Sequence, residues 1–261
     1  MMSTALITGA SSGIGYELAI YHASTGGDLI VVARSESKLE ALKTLVTTKF
    51  NINCHVIPMD LTTDNAGKIL FDEIAHQKLE VDYLINNAGI GFTQKLVDAD
   101  ISTWQQMIQL NITALTDLCY YFVKNKTSSK SAGKILNVAS TAAFQGIPYL
   151  SVYSATKAYV LTFSEALSEE LKGTDITVTA LCPGPTRSNF GSSANLDERL
   201  SNSRMLPSAS SVAKYGYEKM LDGETTVIHG LGNKIGVVAT QVAGRKMVGK
   251  VAGQLFKMVK K

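Results

Sequence analysis

Tyr153 and Lys157 stand four residues apart within Val152 to Lys172, where Val160, Phe163, Leu167 and Leu171 recur three, four and four apart. That spacing predicts a helix with one apolar face, and side chains four apart on a helix emerge one turn from each other on the same side. A free phenol titrates near about 10, too high for ready proton exchange at neutral pH, but a neighbouring ammonium stabilises its phenolate. Tyr153 is thereby suited to give a proton to a carbonyl oxygen. Ser140 follows a predicted strand, Ile135 to Val138, at the carboxyl end where open α/β sheets bind ligands. Its hydroxyl would polarise the same oxygen. The YxxxK spacing by itself is common in exposed helices, where a tyrosine packs beside a solvated lysine.

A second pattern opens the chain. Thr8-Gly9-Ala10-Ser11-Ser12-Gly13-Ile14-Gly15 joins a first apolar run to a helical segment. A glycine-rich strand-to-helix turn brings a diphosphate to backbone N–H groups at the positive end of the helix dipole, and Ser11 and Ser12 add hydroxyl donors. The spacing is GxxxGxG rather than the commoner GxGxxG, and such a turn alone is weak evidence of a ligand. The second strand ends in Val32-Ala33-Arg34-Ser35, without the acidic residue that would accept from an NAD ribose hydroxyl. Arg34, assisted by Lys38, could pair with a 2′-phosphate instead, and the missing acid favours this NADP(H) reading over a solvated arginine at a strand end.

The elements that must position these groups alternate regularly. Apolar runs at Ala5–Ile7, Leu29–Val32, Val56–Ile57, Tyr83–Ile85, Lys134–Val138 and Ile176–Leu181 are separated by helical patterns at Ile14–Ser24, Glu36–Thr48, Asp64–Gln77, Ser102–Lys124 and Val152–Lys172. The runs are mostly continuously apolar instead of alternating, so the strands should be covered on both faces, as in a parallel sheet between helical layers with right-handed crossovers.

Composition limits the alternatives. With 261 residues, 45% hydrophobic and 18% charged, the chain can bury a core without a disulfide or metal staple. The net charge of +3 does not call for nucleic acid. Cys54, Cys119 and Cys182 lack CxxC spacing and the four histidines lack ligand spacing, so a reducing compartment and no metal site are expected. The first residues, MMSTALITGA, have no basic leader or long apolar stretch, and no run approaches a spanning helix. A cytoplasmic protein is expected.

Taken together, these residues resemble the short-chain dehydrogenase/reductase family. Thr8 to Gly15 looks like its TGxxxGxG turn, Asn86-Asn87-Ala88-Gly89 like its NNAG motif, and Asn111, Ser140, Tyr153 and Lys157 like its tetrad in order and separation. The motifs span Thr8 to Ser188. The resemblance implies a Rossmann-type doubly wound parallel sheet of about seven strands with helices on both faces. It also implies Tyr153 as acid/base and Lys157 as the group that binds the nicotinamide ribose and lowers the Tyr153 pKa. Ser140 would hold the substrate oxygen, and Asn111 would support a water-mediated proton relay. Cofactor contacts carried over are the Gly9 to Gly15 turn, Asp60 and Leu61 after the third strand, and Asn87, Ala88 and Gly89 lining the cleft. Pro183, Gly184, Thr186 and Ser188 fall in a PGxxxT-like segment, with Ser188 where the family usually has Thr. Cys182 beside it reads as a small buried residue.

The expected reaction is interconversion of a ketone or aldehyde with an alcohol, using NADP(H). A catalytically silent NADP(H)-binding regulator is the alternative, although it would have no need of the full tetrad. Phe92, Phe144, Ile147, Tyr149 and Phe190 give apolar character to the loops Ile90–Thr93, Thr141–Leu150 and Arg187–Leu206, which suits a lipophilic small-molecule carbonyl or alcohol substrate or an apolar lid. Residues 1–230 read as one dinucleotide-binding catalytic domain and residues 231–261 as its basic amphipathic extension. From Gly230 onward there is no Asp or Glu, while seven Lys and Arg leave a formal −4 on the preceding residues. Val248, Val251, Leu255 and Val259 are spaced three, four and four apart. Such a segment suits peripheral membrane contact, a lid, a subunit contact or simple docking on its own domain. The resemblance further implies a homodimer or homotetramer through the helices that contain Asn111 and Tyr153.

Overall fold

Each apolar run becomes a strand because both of its side-chain rows find cover. A computed structural model describes residues 3–187 and 206–243. The strands are β1 (Thr4–Thr8), β2 (Asp28–Ala33), β3 (Cys54–Pro58), β4 (Tyr83–Asn86), β5 (Gly133–Val138), β6 (Ile176–Cys182) and β7 (Thr226–Ile228). All pair in parallel, in the order β3-β2-β1-β4-β5-β6-β7. This is the expected doubly wound Rossmann-type sheet.

Successive residues of a strand face opposite sides, and here both sides are apolar. Leu6, Ile30, Val32, Leu84, Ile135 and Val178 face one layer, built from helices α3 (Ala66–His76), α5 (Leu115–Ser129) and α6 (Ser151–Glu170). Ala5, Ile7, Leu29, Val31, Ile85 and Leu136 face the other, built from α1 (Gly13–Ser24), α2 (Glu36–Phe50) and α7 (Ala209–Leu221). The strand order reverses between β1 and β4, so their carboxyl ends open the crevice where such sheets bind ligands.

Two elements differ from the sequence reading. The helix expected over Ser102–Lys124 is α4 (Ile101–Ile108), a π-helical turn (Gln109–Ala114) and then α5. The wider turn brackets Asn111, and interruptions of this kind are frequent at functional sites. Helix α7 was not foreseen. Its buried face, Ala209, Val212, Ala213, Gly216, Tyr217 and Met220, keeps helical spacing but is carried largely by small residues that a hydrophobic pattern undercounts. Gly216 is one of them because α7 presses on Leu181 of β6. A last helix, α8 (Leu231–Val242), leaves β7 through Gly230 and packs on the short 3-10 turn Thr141–Phe144.

Candidate active site

The first βα turn is shaped by close approach. Gly9 and Gly13 have φ of +67° and +60°, the left-handed region that favours glycine. A methyl group at Gly15 would strike the Asn87 carboxamide and Gly9 O. That carboxamide donates to Thr8 O (3.1 Å) and Gly9 O (3.2 Å), and Thr8 Oγ1 accepts from the backbone N–H of Asn87 (3.1 Å) and Ala88 (3.0 Å). Asn87 and Ala88 therefore fasten the glycine turn to the end of β4. The N-terminus of α1 follows, with Ser12 in the cap position but making no side-chain cap, so the first-turn donors are left to an anion. Ser11 and Ser12 are partly exposed beside them, and Ile14 packs on the α1 layer. This uncapped, glycine-lined cradle fits a dinucleotide diphosphate.

Arg34 and Lys38 are exposed beyond β2. Asp60 accepts from Thr62 N (2.9 Å) and Thr62 Oγ1 (2.8 Å), and these bonds, aided by the charge of Arg34, hold its carboxyl below the usual range. Leu61 is buried in the core that also takes Ala88. Pro183 is buried, and its carbonyl accepts from Thr141 N (2.9 Å). Thr186 Oγ1 donates to Gly184 O (2.9 Å). Ser188, Phe190 and the Val248–Val259 pattern lie outside the described residues.

The four tetrad positions meet at the carboxyl ends of β4 and β5. Lys157 is 5% exposed, its Nζ donates to Val138 O (2.7 Å) and stands 5.9 Å from the Tyr153 ring centre. Ser140 caps the 3-10 turn by accepting from Ala142 N (3.1 Å) and hydrogen-bonds Tyr153. A methyl group on Gly89 would lie 3.2 Å from Asn111 Oδ1 and 3.5 Å from Lys157 Nζ, so Gly89 keeps the floor between them open. The Asn111 carboxamide accepts from Ile90 N (3.0 Å) and donates to Ile90 O (2.9 Å) and Thr156 Oγ1 (3.0 Å). Thr156 in turn donates to Tyr153 O (2.8 Å). The Asn111 side chain is thus a brace between the Ile90 loop and α6.

Burial dominates the titration of this group. It pushes Tyr153 up to about 12, opposed by the Ser140 hydrogen bond, and pushes Lys157 down to about 8. The depression of Tyr153 expected from Lys157 does not enter this balance, which burial sets against the Ser140 hydrogen bond. Cys182 is buried and its thiol is pushed up to about 12, which keeps it protonated.

Residues 3–199 match the family described as short chain dehydrogenase. The chain belongs to that family. This short-chain dehydrogenase is 31% identical over 191 residues to sulfoacetaldehyde reductase 2 of Chromohalobacter salexigens, covering 73% of this chain and 75% of the relative. Its fold matches a short-chain dehydrogenase from Sphingobium yanoikuyae in complex with NADPH, with TM-score 0.81, 28% identity and 93% and 94% of the two chains covered. It also matches a short chain dehydrogenase/reductase from Burkholderia phymatum in complex with NAD, with TM-score 0.82, 22% identity and 90% and 92% covered. The protein is accordingly an oxidoreductase of a family that uses a nicotinamide cofactor.

Several neighbours of the short-chain dehydrogenase site had no signal in the sequence. Trp104 and Met107 of α4 join Leu150 and Tyr153 in an apolar cluster, with Ile90, Phe92 and Ile147 packed against it. Phe92 and Ile147 thus sit where the loop reading put them, whereas Phe144 turns into the main core. Below lies a buried polar chain in which Asn86 Nδ2 donates to Asn137 Oδ1 (2.9 Å) and Asn137 Nδ2 to Ser164 Oγ (2.9 Å). Asn233 of α8 fills the space over Gly184. Asn86 lay inside the quoted Asn86–Gly89 stretch, Leu150 next to Tyr149 and Thr156 next to Lys157, whereas Trp104, Met107 and Ser164 adjoined no residue singled out for the site.

Proposed function

We propose that the protein is an NADPH-dependent reductase of lipophilic ketones or aldehydes, able to run in reverse as an alcohol dehydrogenase. The observation that carries this reading is a buried Tyr153 set among Phe92, Trp104, Ile147 and Leu150, with Ser140 on its hydroxyl and Lys157 one turn along α6. Bound nicotinamide supplies the hydride. Tyr153 Oη gives a proton to the substrate oxygen, and Ser140 Oγ donates a hydrogen bond to that oxygen as negative charge develops on it. The Lys157 ammonium favours the phenolate that remains. Asn111 and Thr156 hold α6 against the Ile90 loop so that these groups keep their alignment. The apolar cluster excludes water and accommodates an apolar substituent on the carbonyl carbon.

Preference for the 2′-phosphate rests on Arg34, exposed at the end of β2 where no acidic residue follows until Glu36. Lys38 adds to the positive potential. The family resemblance also supports a homodimer or homotetramer, the cysteine usage a reducing, cytoplasmic setting, and the small net charge no role for nucleic acid.

NADPH oxidation followed by absorbance across short ketones, aromatic ketones, 3-oxoacyl thioesters and steroids tests the reading, with NADH in parallel. Turnover at least about tenfold more efficient with NADPH is expected, and Arg34→Glu should erase that preference. Tyr153→Phe should lower turnover by about 100-fold or more while NADPH binding, read by fluorescence, persists. A preference for NADH overturns the cofactor assignment. An unchanged Tyr153→Phe rate overturns the role of Tyr153.

A further inference from the structure

We propose that the outward face of α8 is a docking surface for an anionic lipid bilayer. Leu231, Ile235, Val238 and Val242 follow one another four, three and four residues apart and are 74%, 61%, 58% and 83% exposed. At about 100° per residue the four fall within roughly 60° of arc, a continuous aliphatic stripe. The opposite side of the helix is occupied. Val237 is buried, the Asn233 carboxamide lies over Gly184 and donates to His229 O (2.8 Å), and the helix packs on the Thr141–Phe144 turn. Helix α8 is thus fixed to the domain by one side while an unbroken aliphatic row faces outward, and isolated exposed aliphatics do not line up in this way.

Charge selects the occupant. From Gly230 onward the sequence holds Lys234, Arg245, Lys246, Lys250, Lys257, Lys260 and Lys261 and no acidic residue. Lys234 lies on α8 itself, exposed beside the stripe. A second copy docked symmetrically through this helix would bring Lys234 towards its counterpart with no acidic residue on either helix to offset the like charge. An anionic bilayer surface supplies the opposite charge, and its acyl boundary takes the aliphatic row with α8 lying in the interface plane. Among the described residues no helix is long and apolar enough to cross a membrane. Since α8 packs beside the turn that Ser140 caps, docking sets the site next to the lipid.

The inference goes beyond the reductase reading, and flotation registers lipid contact whether or not any ketone is turned over. Full-length protein is floated with vesicles of equal parts phosphatidylglycerol and phosphatidylcholine, and separately with phosphatidylcholine alone. Flotation is expected with the anionic vesicles and should weaken at roughly 0.5 M salt, where charges are screened within a few ångströms. The double substitution Ile235→Glu with Val238→Glu should lower partitioning by about tenfold or more at unchanged NADPH binding. Ile235→Trp should strengthen it, because indole favours the interface. The proposal is overturned if the full-length protein stays with the soluble fraction in both cases, or if the double variant floats as well as the parent. It is equally overturned if the double substitution only dissociates an oligomer, which would make the stripe a contact between copies.

Discussion

Burying the Lys157 ammonium against Val138 O opposes folding, because a charged amine leaves water for a site that is 5% exposed. Its pKa falls from 10.5 to about 8. A group whose folded pKa is depressed contributes fully above the unfolded pKa and progressively less as pH falls toward the folded one. For Lys157 the penalty grows from pH 10.5 down to about 8 and is constant below. A shift of this size corresponds to about 3 kcal/mol at neutral pH. Lys157→Met removes that penalty and forfeits a hydrogen bond worth about 1–1.5 kcal/mol. The variant should therefore be inactive yet more stable by about 1–2 kcal/mol at pH 7, raising the thermal midpoint by several degrees. The gain should shrink toward pH 10.5. Thermal denaturation followed by circular dichroism measures both, and a lowered midpoint at pH 7 contradicts the account. Lys157 and Tyr153 were legible because a spacing of four on a helix is local information. Thr156 and Trp104 were not, since the Thr156 partner Asn111 lies 45 residues away and Trp104 enters the site only when α4 folds over it.

Helix α1 illustrates how an element is held by groups that a hydrophobic pattern ignores. His22 Nε2 lies 3.1 Å from Ser3 O and 3.0 Å from Asp28 O, so it carries the proton, and Nδ1 accepts from Tyr217 OH at 2.7 Å. One imidazole thus joins α1 to the starts of β1 and β2 and to α7. Gly27 has no side chain because the His22 ring occupies the space. Burial lowers the His22 pKa below its ordinary 6.5, against smaller opposing contributions from the Ser3 and Asp28 carbonyls and the charges of Asp28 and Asp82. The folded protein then binds fewer protons than the unfolded chain just below pH 6.5, so His22 stability is present above that pH and is lost as pH falls. Urea unfolding between pH 7 and pH 5 should show this loss, with a slope that approaches at most about 1.4 kcal/mol per pH unit from this group. His22→Gln, which still donates to the carbonyls, should flatten the slope. An equal slope in both proteins assigns the effect elsewhere. The π-helical turn at Gln109–Ala114 was equally illegible, because Leu110 and Ala114, four apart, fit an ordinary helix, and the widening goes with tertiary bonds of Asn111 to Ile90 and Thr156.

At the scale of the whole molecule, the alternation of apolar runs and helical segments accounted for six of the seven strands, and the three-residue β7 (Thr226–Ile228) was not among them. Parallel order and two covered faces follow from strands that are apolar on both sides. What the pattern did not convey was how the end of the described chain returns to the site. Helix α8 comes after the last strand, yet Asn233 fills the space beside Gly184 at the end of β6 and the helix packs on the turn after β5. Gly184 has the conformational freedom of any glycine, but the reason for it here is steric: a methyl group would collide with the Asn233 carboxamide. Gly184→Ala should therefore push the Asn233 carboxamide aside, destabilise the protein by about 1 kcal/mol and weaken NADPH binding at the Pro183–Thr186 segment. Asn233→Ala removes the obstacle at the loss of its bond to His229 O. In the Asn233→Ala background the effect of Gly184→Ala should fall to less than about half, a coupling that urea denaturation of the two single variants and the double variant would measure. Additive effects would mean that α8 does not press on the β6 loop. Coupling in both stability and NADPH affinity would make α8 a structural wall of the cofactor crevice.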